Sequence, residues 1–330
     1  MREGRKKKGK SAEPEAPSED QEASAETEDV VELGPDEPRD GLAGDVDITV
    51  FSCPVDHQGN TVHVKGWVKS GTERPPLIFV HDLGEHIGLY RPAARELVAA
   101  GYSVYGFDLR GHGLSGPTLG HIPNFNTLVN DLLQVVAWIR FKSMRKVPIL
   151  IGQGIGALIA VYFQRAYPKL CPGAVLAAPY LSVNAYTSTL KRFIIRTLAE
   201  TAPRIRLPAA MTPAFMSHYA TSHGTQDATH PQPFHGITAN FANELLRAIN
   251  RAPDEFARFD CPTLILCPER DPFCDYSRLR ELVEAHPQRA GISIESLPDA
   301  GHHLLTEEES ALAQALSHIV PWLNHVETPP

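Results

Sequence analysis

The 330-residue sequence lacks an apolar run long enough to cross a membrane, a Cys-x-x-Cys pair and any basic cluster in its main body. A membrane-spanning helix needs about 20 consecutive apolar residues, so we do not expect an integral membrane protein. The five cysteines are odd in number and scattered, which indicates reduced thiols in a cytoplasmic protein. Because no metal-ligand spacing stands out, we expect neither a metal ion nor a cofactor.

Charge is concentrated at the start of the chain. Residues 1–45 contain seven Lys or Arg and fourteen Asp or Glu, whereas the remaining residues contain 24 Lys or Arg and 25 Asp or Glu. This first segment has no aromatic residue and cannot bury enough surface to offset its ordering entropy, so we predict a disordered tail. No apolar stretch follows its basic start, which argues against a signal peptide. The near-neutral body argues against nucleic acid as a partner.

After the tail, apolar strand patterns alternate with helical patterns. The predicted strands are 47–52, 61–68, 76–80, 103–108, 147–151, 173–179, 262–267 and 292–297. The predicted helices are 89–102, 126–142, 155–166, 239–249, 277–286 and 308–323. Such alternation is typical of an α/β protein with a mostly parallel sheet and helices on both faces. We therefore predict one domain over residues 46–325, interrupted by a helical cap at about 181–240, and a short tail at 326–330.

The segment GQGIGA (152–157) follows an apolar strand and precedes a helix, which predicts a tight strand-to-helix turn. The serine-hydrolase turn has the pattern G-x-S-x-G, and its serine is the nucleophile. Gly154 stands at the middle position here. The turn can persist without the serine, because glycine tolerates its strained backbone angles better than serine does.

Five segments together carry a family resemblance. They are FVHDLGEHIGLY (79–90), FDLRGHGLSGP (107–117), GQGIGA (152–157), PERDPFCD (268–275) and DAGHHLLTEE (299–308). In this order, each after a predicted strand, they resemble the α/β-hydrolases of the monoacylglycerol lipase and lysophospholipase group, which includes serine aminopeptidase S33-like proteins. The resemblance covers residues 46–325 and implies carboxylic-ester hydrolase chemistry on a lipid, acyl or small ester ligand.

The resemblance assigns roles to individual residues. Asp271 aligns with the acid of the catalytic triad and His302 with its histidine, in the chain order of this fold. A carboxylate of that kind holds an imidazole in the tautomer that accepts a proton. The oxyanion hole would use the backbone amides of Leu83 and Ile155. The neighbouring His303 is the alternative to His302, and a helix cap or a solvated loop acid is the alternative role for Asp271.

Two residues depart from the group's pattern. Gly154 has no side chain to carry an acyl group, and losing a triad nucleophile typically lowers turnover by on the order of a millionfold. Asp82 stands where the group has glycine, and its carboxylate would oppose a developing oxyanion if it points inward. Ser115 and Cys171 are alternative nucleophiles, although a structural role suits Ser115 better.

Two functional hypotheses remain open. In the first, the protein binds a lipid, acyl or ester ligand without turnover. In the second, it is an active ester hydrolase in which the His302–Asp271 pair works with water or with a substitute nucleophile. A purely structural partner protein is a third hypothesis without specific support. His81 and His86 are expected to hold their loop by hydrogen bonds, and the cap is either ordinary helix packing or a peripheral membrane contact.

Overall fold

The structure is a computed structural model that describes residues 45–181, 188–208, 236–271, 273–285, 291–306 and 309–327. Residues 1–44 of the predicted tail, most of the predicted cap and residues 328–330 lie outside these ranges. The described residues form one sheet with helices on both of its faces.

The sheet has eight strands in the order β1-β2-β4-β3-β5-β6-β7-β8. Strands β1 and β2 pair antiparallel, as do β2 and β4, and the remaining neighbours are parallel. The strand bounds are β1 Val46–Pro54, β2 Thr61–Lys69, β3 Leu77–Val80, β4 Val104–Phe107, β5 Ile149–Gln153, β6 Ala174–Ala177, β7 Thr263–Pro268 and β8 Ile292–Leu297. The parallel part therefore brings the carboxyl ends of six neighbouring strands, β4-β3-β5-β6-β7-β8, to one edge, where open α/β sheets bind their ligands.

Helices cover both faces because the central strands are apolar on both sides. In β3, Ile78 and Val80 pack into one buried cluster and Leu77 and Phe79 into the other. The α-helices are α1 Arg91–Ala99, α2 Phe125–Lys142, α3 Ile155–Ala166, α4 Thr189–Thr201, α5 Ala239–Phe256, α6 Tyr276–Glu284 and α7 Glu309–Glu327. Helices α2, α3, α5 and α6 bury side chains on the first face, and α1 and α7 cover the second.

Side chains at helix starts explain several boundaries. Asn124 caps α2 by accepting from the amide of Thr127 at 3.1 Å, and Thr238 caps α5. Asp275 caps α6, so the helix-capping role that was the alternative for Asp271 belongs to another residue. Each such cap typically contributes about 1 kcal/mol.

The predicted α/β-hydrolase architecture is confirmed, and the differences lie at element ends. Strand β5 continues through Gln153 because it still pairs with Ala177 of β6. Helix α5 runs to Phe256 instead of ending near 249, since Ala252 and Phe256 extend its buried stripe. Helix α7 ends at Glu327, because Val326 still packs on the core, so residues 326 and 327 are helical rather than part of a tail.

Part of the predicted cap is described. Helix α4 lies within it, begins at the Ser188 cap and packs against α5 through the buried Ile195. Residues 182–187 and 209–235 of the cap lie outside the described ranges. No helix in the described ranges has the length and apolar character needed to cross a membrane.

Candidate active site

The centre of the site is a sharp turn between β5 and α3. Gly154 lies there with φ 53° and ψ −112°, a backbone conformation that residues other than glycine adopt only under strain. The other two glycines of the pattern, Gly152 and Gly156, leave no room for a side chain. A Cβ at Gly156 would overlap the carbonyl of Val80, and one at Gly152 would approach the backbone of the following helix. The turn therefore has the geometry of a nucleophile elbow without a nucleophilic side chain at its tip.

Asp271 and His302 meet at the same edge of the sheet. Asp271 follows β7 and His302 follows β8, and both are buried. The Asp271 Oδ2 atom lies 2.6 Å from His302 Nδ1, and Asp271 Oδ1 accepts from the amide of Phe273 at 2.8 Å. The second bond orients the carboxylate toward the imidazole. In this geometry a carboxylate can hold the imidazole ring in one orientation and stabilise its protonated form.

Asp82 follows β3, and its carboxylate points into the site. Its Oδ2 atom lies 2.9 Å from His302 Nε2, on the side of the ring opposite Asp271. Its Oδ1 atom accepts from the amide of Ile155 at 2.8 Å. A Cβ built on Gly154 would overlap the carboxylate carbon and both oxygens of Asp82. The Asp82 carboxylate therefore occupies the space that a side chain at position 154 would need.

This arrangement changes the expected oxyanion hole. Of the two amides predicted for it, at Leu83 and Ile155, the second is already bonded to a carboxylate. In the structure the Ile155 amide therefore has the Asp82 side chain, and not a ligand oxygen, as its hydrogen-bond acceptor. Glycine at position 154 and aspartate at position 82 are thus sterically linked, although they lie 72 positions apart in the chain.

Two carboxylates and one imidazole make the site strongly polar. Burial alone would lower the pKa of His302, but hydrogen bonds to Asp271 and Asp82 outweigh it and raise that pKa to about 10. At neutral pH the ring is therefore an imidazolium between two carboxylates.

Tyr180, which sequence reasoning missed, is a fourth member of the site. It lies beyond the end of β6, and its ring stacks on His302 with centroids 5.2 Å apart. Its hydroxyl is 2.9 Å from His302 Nε2 and donates to Asp82 Oδ2 at 3.2 Å. Burial and the nearby carboxylate of Asp82 raise the pKa of Tyr180 well above its usual value, so the hydroxyl keeps its proton.

A second buried network supports the loop that carries Asp82. Glu85 Oε2 accepts from the Asp82 amide at 2.9 Å and from the Tyr90 hydroxyl at 2.6 Å. Glu85 Oε1 lies 2.8 Å from His303 Nδ1 and accepts from Gln153 Nε2 at 3.0 Å. Burial would raise the pKa of Glu85, but the bond to His303 and the other donors lower it. Glu85 and Gln153 thus join the Asp82 loop, the elbow and the histidine loop, which sequence reasoning did not foresee.

The other candidate residues occupy separate positions. His303 contacts Glu85 rather than Asp271, so the two adjacent histidines belong to different networks. His81 accepts from the amide of Leu109 at 2.8 Å through Nε2 and donates to the Asp82 carbonyl at 2.7 Å through Nδ1, which holds the loop. His86 is buried at the start of the short 3-10 helix 87–90.

The two alternative nucleophiles, Ser115 and Cys171, make hydrogen bonds away from Asp271 and His302. Ser115 Oγ accepts from the amide of His63 at 2.8 Å, an interaction that ties its loop to β2. Cys171 is buried, and its Sγ lies 3.6 Å from the carbonyl of Gly173. A hydrogen bond to Cys261, together with burial, raises the pKa of the Cys171 thiol well above the usual value. Neither is an activated nucleophile in this structure. Within the described ranges, no group of three or more His, Cys, Asp and Glu residues is placed to hold a metal ion.

The sheet order, the elbow and the residues at the strand ends define an α/β-hydrolase. Comparison with known proteins gives the family: the chain belongs to the serine aminopeptidase (S33) family, whose pattern it matches over residues 71–309. Rat monoglyceride lipase is 26% identical over 277 residues, covering 82% of this chain and 89% of the rat protein. Probable lysophospholipase L2 of Haemophilus influenzae is 23% identical, covering 76% of this chain and 84% of that protein.

A solved structure shows the same fold. The monoacylglycerol lipase of Paleococcus ferrophilus superposes with a TM-score of 0.63 at 22% identity and covers 81% of this chain and 98% of its own. The chain is thus a monoglyceride lipase- and lysophospholipase-like α/β-hydrolase, as the five sequence segments predicted.

Proposed function

We propose that this protein binds a lipid, acyl or small ester ligand and is impaired in ester hydrolysis. One observation carries the proposal: the Asp82 carboxylate fills the space of a side chain at position 154 and bonds the Ile155 amide. Ester hydrolysis on this fold needs an alkoxide at the elbow and a free donor for the oxyanion. Gly154 provides no alkoxide, and Asp82 already uses the donor.

Asp82 does not replace a serine in acyl transfer. A carboxylate that attacks an ester carbonyl forms a tetrahedral adduct with an alkoxide and a carboxylate as possible leaving groups. The carboxylate is the better leaving group, so the adduct returns to the starting ester. Asp82 can therefore lie beside an ester carbonyl without cleaving the ester.

The alternative, an active ester hydrolase that uses His302 and water, has the 2.6 Å contact between His302 and Asp271 in its favour. A general base must be unprotonated at the working pH. Because the pKa of His302 is raised to about 10, the imidazole already carries its second proton at neutral pH. The charge of Asp82 thus opposes this mechanism.

The ligand class rests on the family and on α4. Rat monoglyceride lipase and Haemophilus influenzae probable lysophospholipase L2 bear names of lipid-cleaving enzymes. On α4, Leu190 is 68% exposed and Phe193 is 58% exposed, and basic Lys191 lies between them in the chain. Apolar side chains beside basic ones suit a lipid interface. We extend the proposal to a peripheral membrane contact through α4 and to a cytoplasmic location, which the five free thiols support.

Ester hydrolysis and ligand binding by the full chain test the proposal. We expect no turnover of p-nitrophenyl butyrate or of a long-chain monoacylglycerol above the rate of a heat-denatured sample, and no labelling by a fluorophosphonate. A non-hydrolysable monoalkyl glycerol ether should bind in a calorimetric titration. Ordinary enzymatic turnover by the unmodified protein would refute the impairment, and failure of the ether to bind would refute the ligand class.

A further inference from the structure

The carboxylate of Asp82 stands where a nucleophile would stand, and carboxylates form covalent intermediates in enzymes. We propose that Asp82 is a covalent nucleophile toward an electrophilic sp3 carbon, and that the substrate class is an epoxide with an apolar chain. This activity goes beyond ligand binding, because it replaces acyl transfer at the elbow with alkyl transfer to a side chain of the preceding loop.

The contacts of the carboxylate suit this step. Oδ1 is held by the Ile155 amide at 2.8 Å, which leaves Oδ2 as the attacking atom. Two donor groups converge on Oδ2, namely His302 Nε2 at 2.9 Å and the Tyr180 hydroxyl at 3.2 Å. An epoxide opened at this point releases its ring oxygen as an alkoxide, which needs a proton donor within hydrogen-bond reach. The protonated His302 is such a donor, and this requirement favours an epoxide over an alkyl halide.

The first step is a transfer of the alkyl group to Asp82. Oδ2 of Asp82 donates an electron pair to one ring carbon, and the bond between that carbon and the ring oxygen breaks. The oxygen leaves with the bonding pair and takes the proton from His302 Nε2. The products are a hydroxyalkyl ester of Asp82 and a neutral His302.

Ester formation prepares the second step. Once Asp82 is an ester, its negative charge no longer stabilises the imidazolium, so His302 can act as a base with Asp271 on its other nitrogen. Water attacks the Asp82 carbonyl carbon and loses a proton to His302, while the Ile155 amide stabilises the charge on Oδ1. The ester C–O bond then breaks, and the alkoxide takes the proton from His302. Asp82 is left as a carboxylic acid and returns its proton to His302, which restores the starting carboxylate and imidazolium. The net reaction is epoxide plus water to diol, and Asp82 keeps one oxygen from water.

A single-turnover experiment in ¹⁸O-labelled water tests the proposal with the unmodified full chain. Excess protein is mixed with 1,2-epoxyoctane, digested and analysed by mass spectrometry. We expect the peptide that contains Asp82 to gain one ¹⁸O and the first-formed diol to contain none. Label in the diol alone would mean that water opens the ring directly, which would overturn the proposal, as would the absence of any diol.

Variants test the same step independently. His302→Gln removes the proton donor of the first step and the base of the second, so it should form neither an adduct nor diol, and Asp82→Asn should form neither because it lacks the attacking carboxylate. The exposed Asp299→Asn is the matched control, and its diol formation should equal that of the unmodified protein. Diol formation by either variant at the rate of the unmodified protein, or equal ¹⁸O labelling of the same peptide in Asp82→Asn, would overturn the assignment. Ester turnover is measured in a separate assay, so a failure of the epoxide reaction does not count against the proposed impairment in ester hydrolysis.

Discussion

Replacing Gly154 with serine alone should destabilise the protein and leave it inactive on esters. The new Cβ overlaps the Asp82 carboxylate, so the side chain of Asp82 must leave its place. Holding a residue other than glycine at φ 53° and ψ −112° costs roughly 1–3 kcal/mol. Losing the charged hydrogen bond to the Ile155 amide costs roughly 1.5–3 kcal/mol more. We therefore expect the free energy of unfolding to fall by several kcal/mol.

The double variant Asp82→Gly/Gly154→Ser separates the clash from the strain. Removing the Asp82 carboxylate removes the overlap, so the double variant should lose less stability than the two single variants together. Residues in contact typically show couplings of about 0.5–3 kcal/mol in such a cycle. Gly154→Ala is the matched control, because it adds the Cβ without the hydroxyl and should be destabilised about as much as Gly154→Ser.

Urea unfolding of the unmodified protein, the two single variants, the double variant and the Gly154→Ala control, followed by circular dichroism, gives these free energies. Hydrolysis of p-nitrophenyl butyrate and labelling by a fluorophosphonate report on the new serine. We expect activity and labelling only in the double variant, where the Ile155 amide becomes free. The reasoning would be refuted if Gly154→Ser were as stable as the unmodified protein, or if it hydrolysed the ester while Asp82 was still present.

Three further predictions concern the buried charges. Because the pKa of His302 is raised in the folded protein, protonated His302 stabilises the fold fully below about pH 6.5, and this stabilisation is lost as the pH rises toward 10. The free energy of unfolding should therefore fall by on the order of a few kcal/mol between these pH values. In His302→Gln the fall should be smaller. Tyr180→Phe should lower stability by about 0.5–1.5 kcal/mol in urea unfolding, and an unchanged value would contradict its bond to Asp82. Asp131→Ala removes the two 2.8 Å bonds to buried Arg110 and should cost about 3–5 kcal/mol, whereas exposed Glu284→Ala, which breaks a surface pair, should cost under 1.

The fold could be predicted because its signals are local and repeated. Strand β3 is a short, continuous apolar run, and its residues alternate between the two buried clusters. Such a strand needs helices on both sides, whatever the remaining details are. Boundaries were less predictable, since the extension of α5 to Phe256 depends on which side chains the neighbouring helices bury.

The meeting of Asp271 and His302 was also predictable. Both follow predicted strands of a parallel sheet, and parallel strands bring their carboxyl ends to one edge. The family segments supplied the choice between the two adjacent histidines, and the structure places His302 rather than His303 beside Asp271. Their catalytic roles remain predictions.

The position of the Asp82 side chain was not predictable from its own segment. In the sequence, Gly154 and Asp82 are two separate departures from the family pattern. In the structure, the absence of a side chain at Gly154 leaves the space that the Asp82 carboxylate occupies. Tyr180 carried only a weak signal, its place just beyond an apolar strand. Contacts between residues far apart in the chain determine this site, and no periodicity or short motif encodes them.

The protonation state of His302 tests the central claim most directly. Nitrogen-15 NMR of the imidazole, recorded from pH 5 to 11 with His302→Gln for assignment, should show His302 protonated through neutral pH and titrating near 10. In Asp82→Asn the same ring should lose its proton at a distinctly lower pH. Titration near 6.5 in both proteins would contradict the account, because it would mean that the Asp82 carboxylate does not lie against His302.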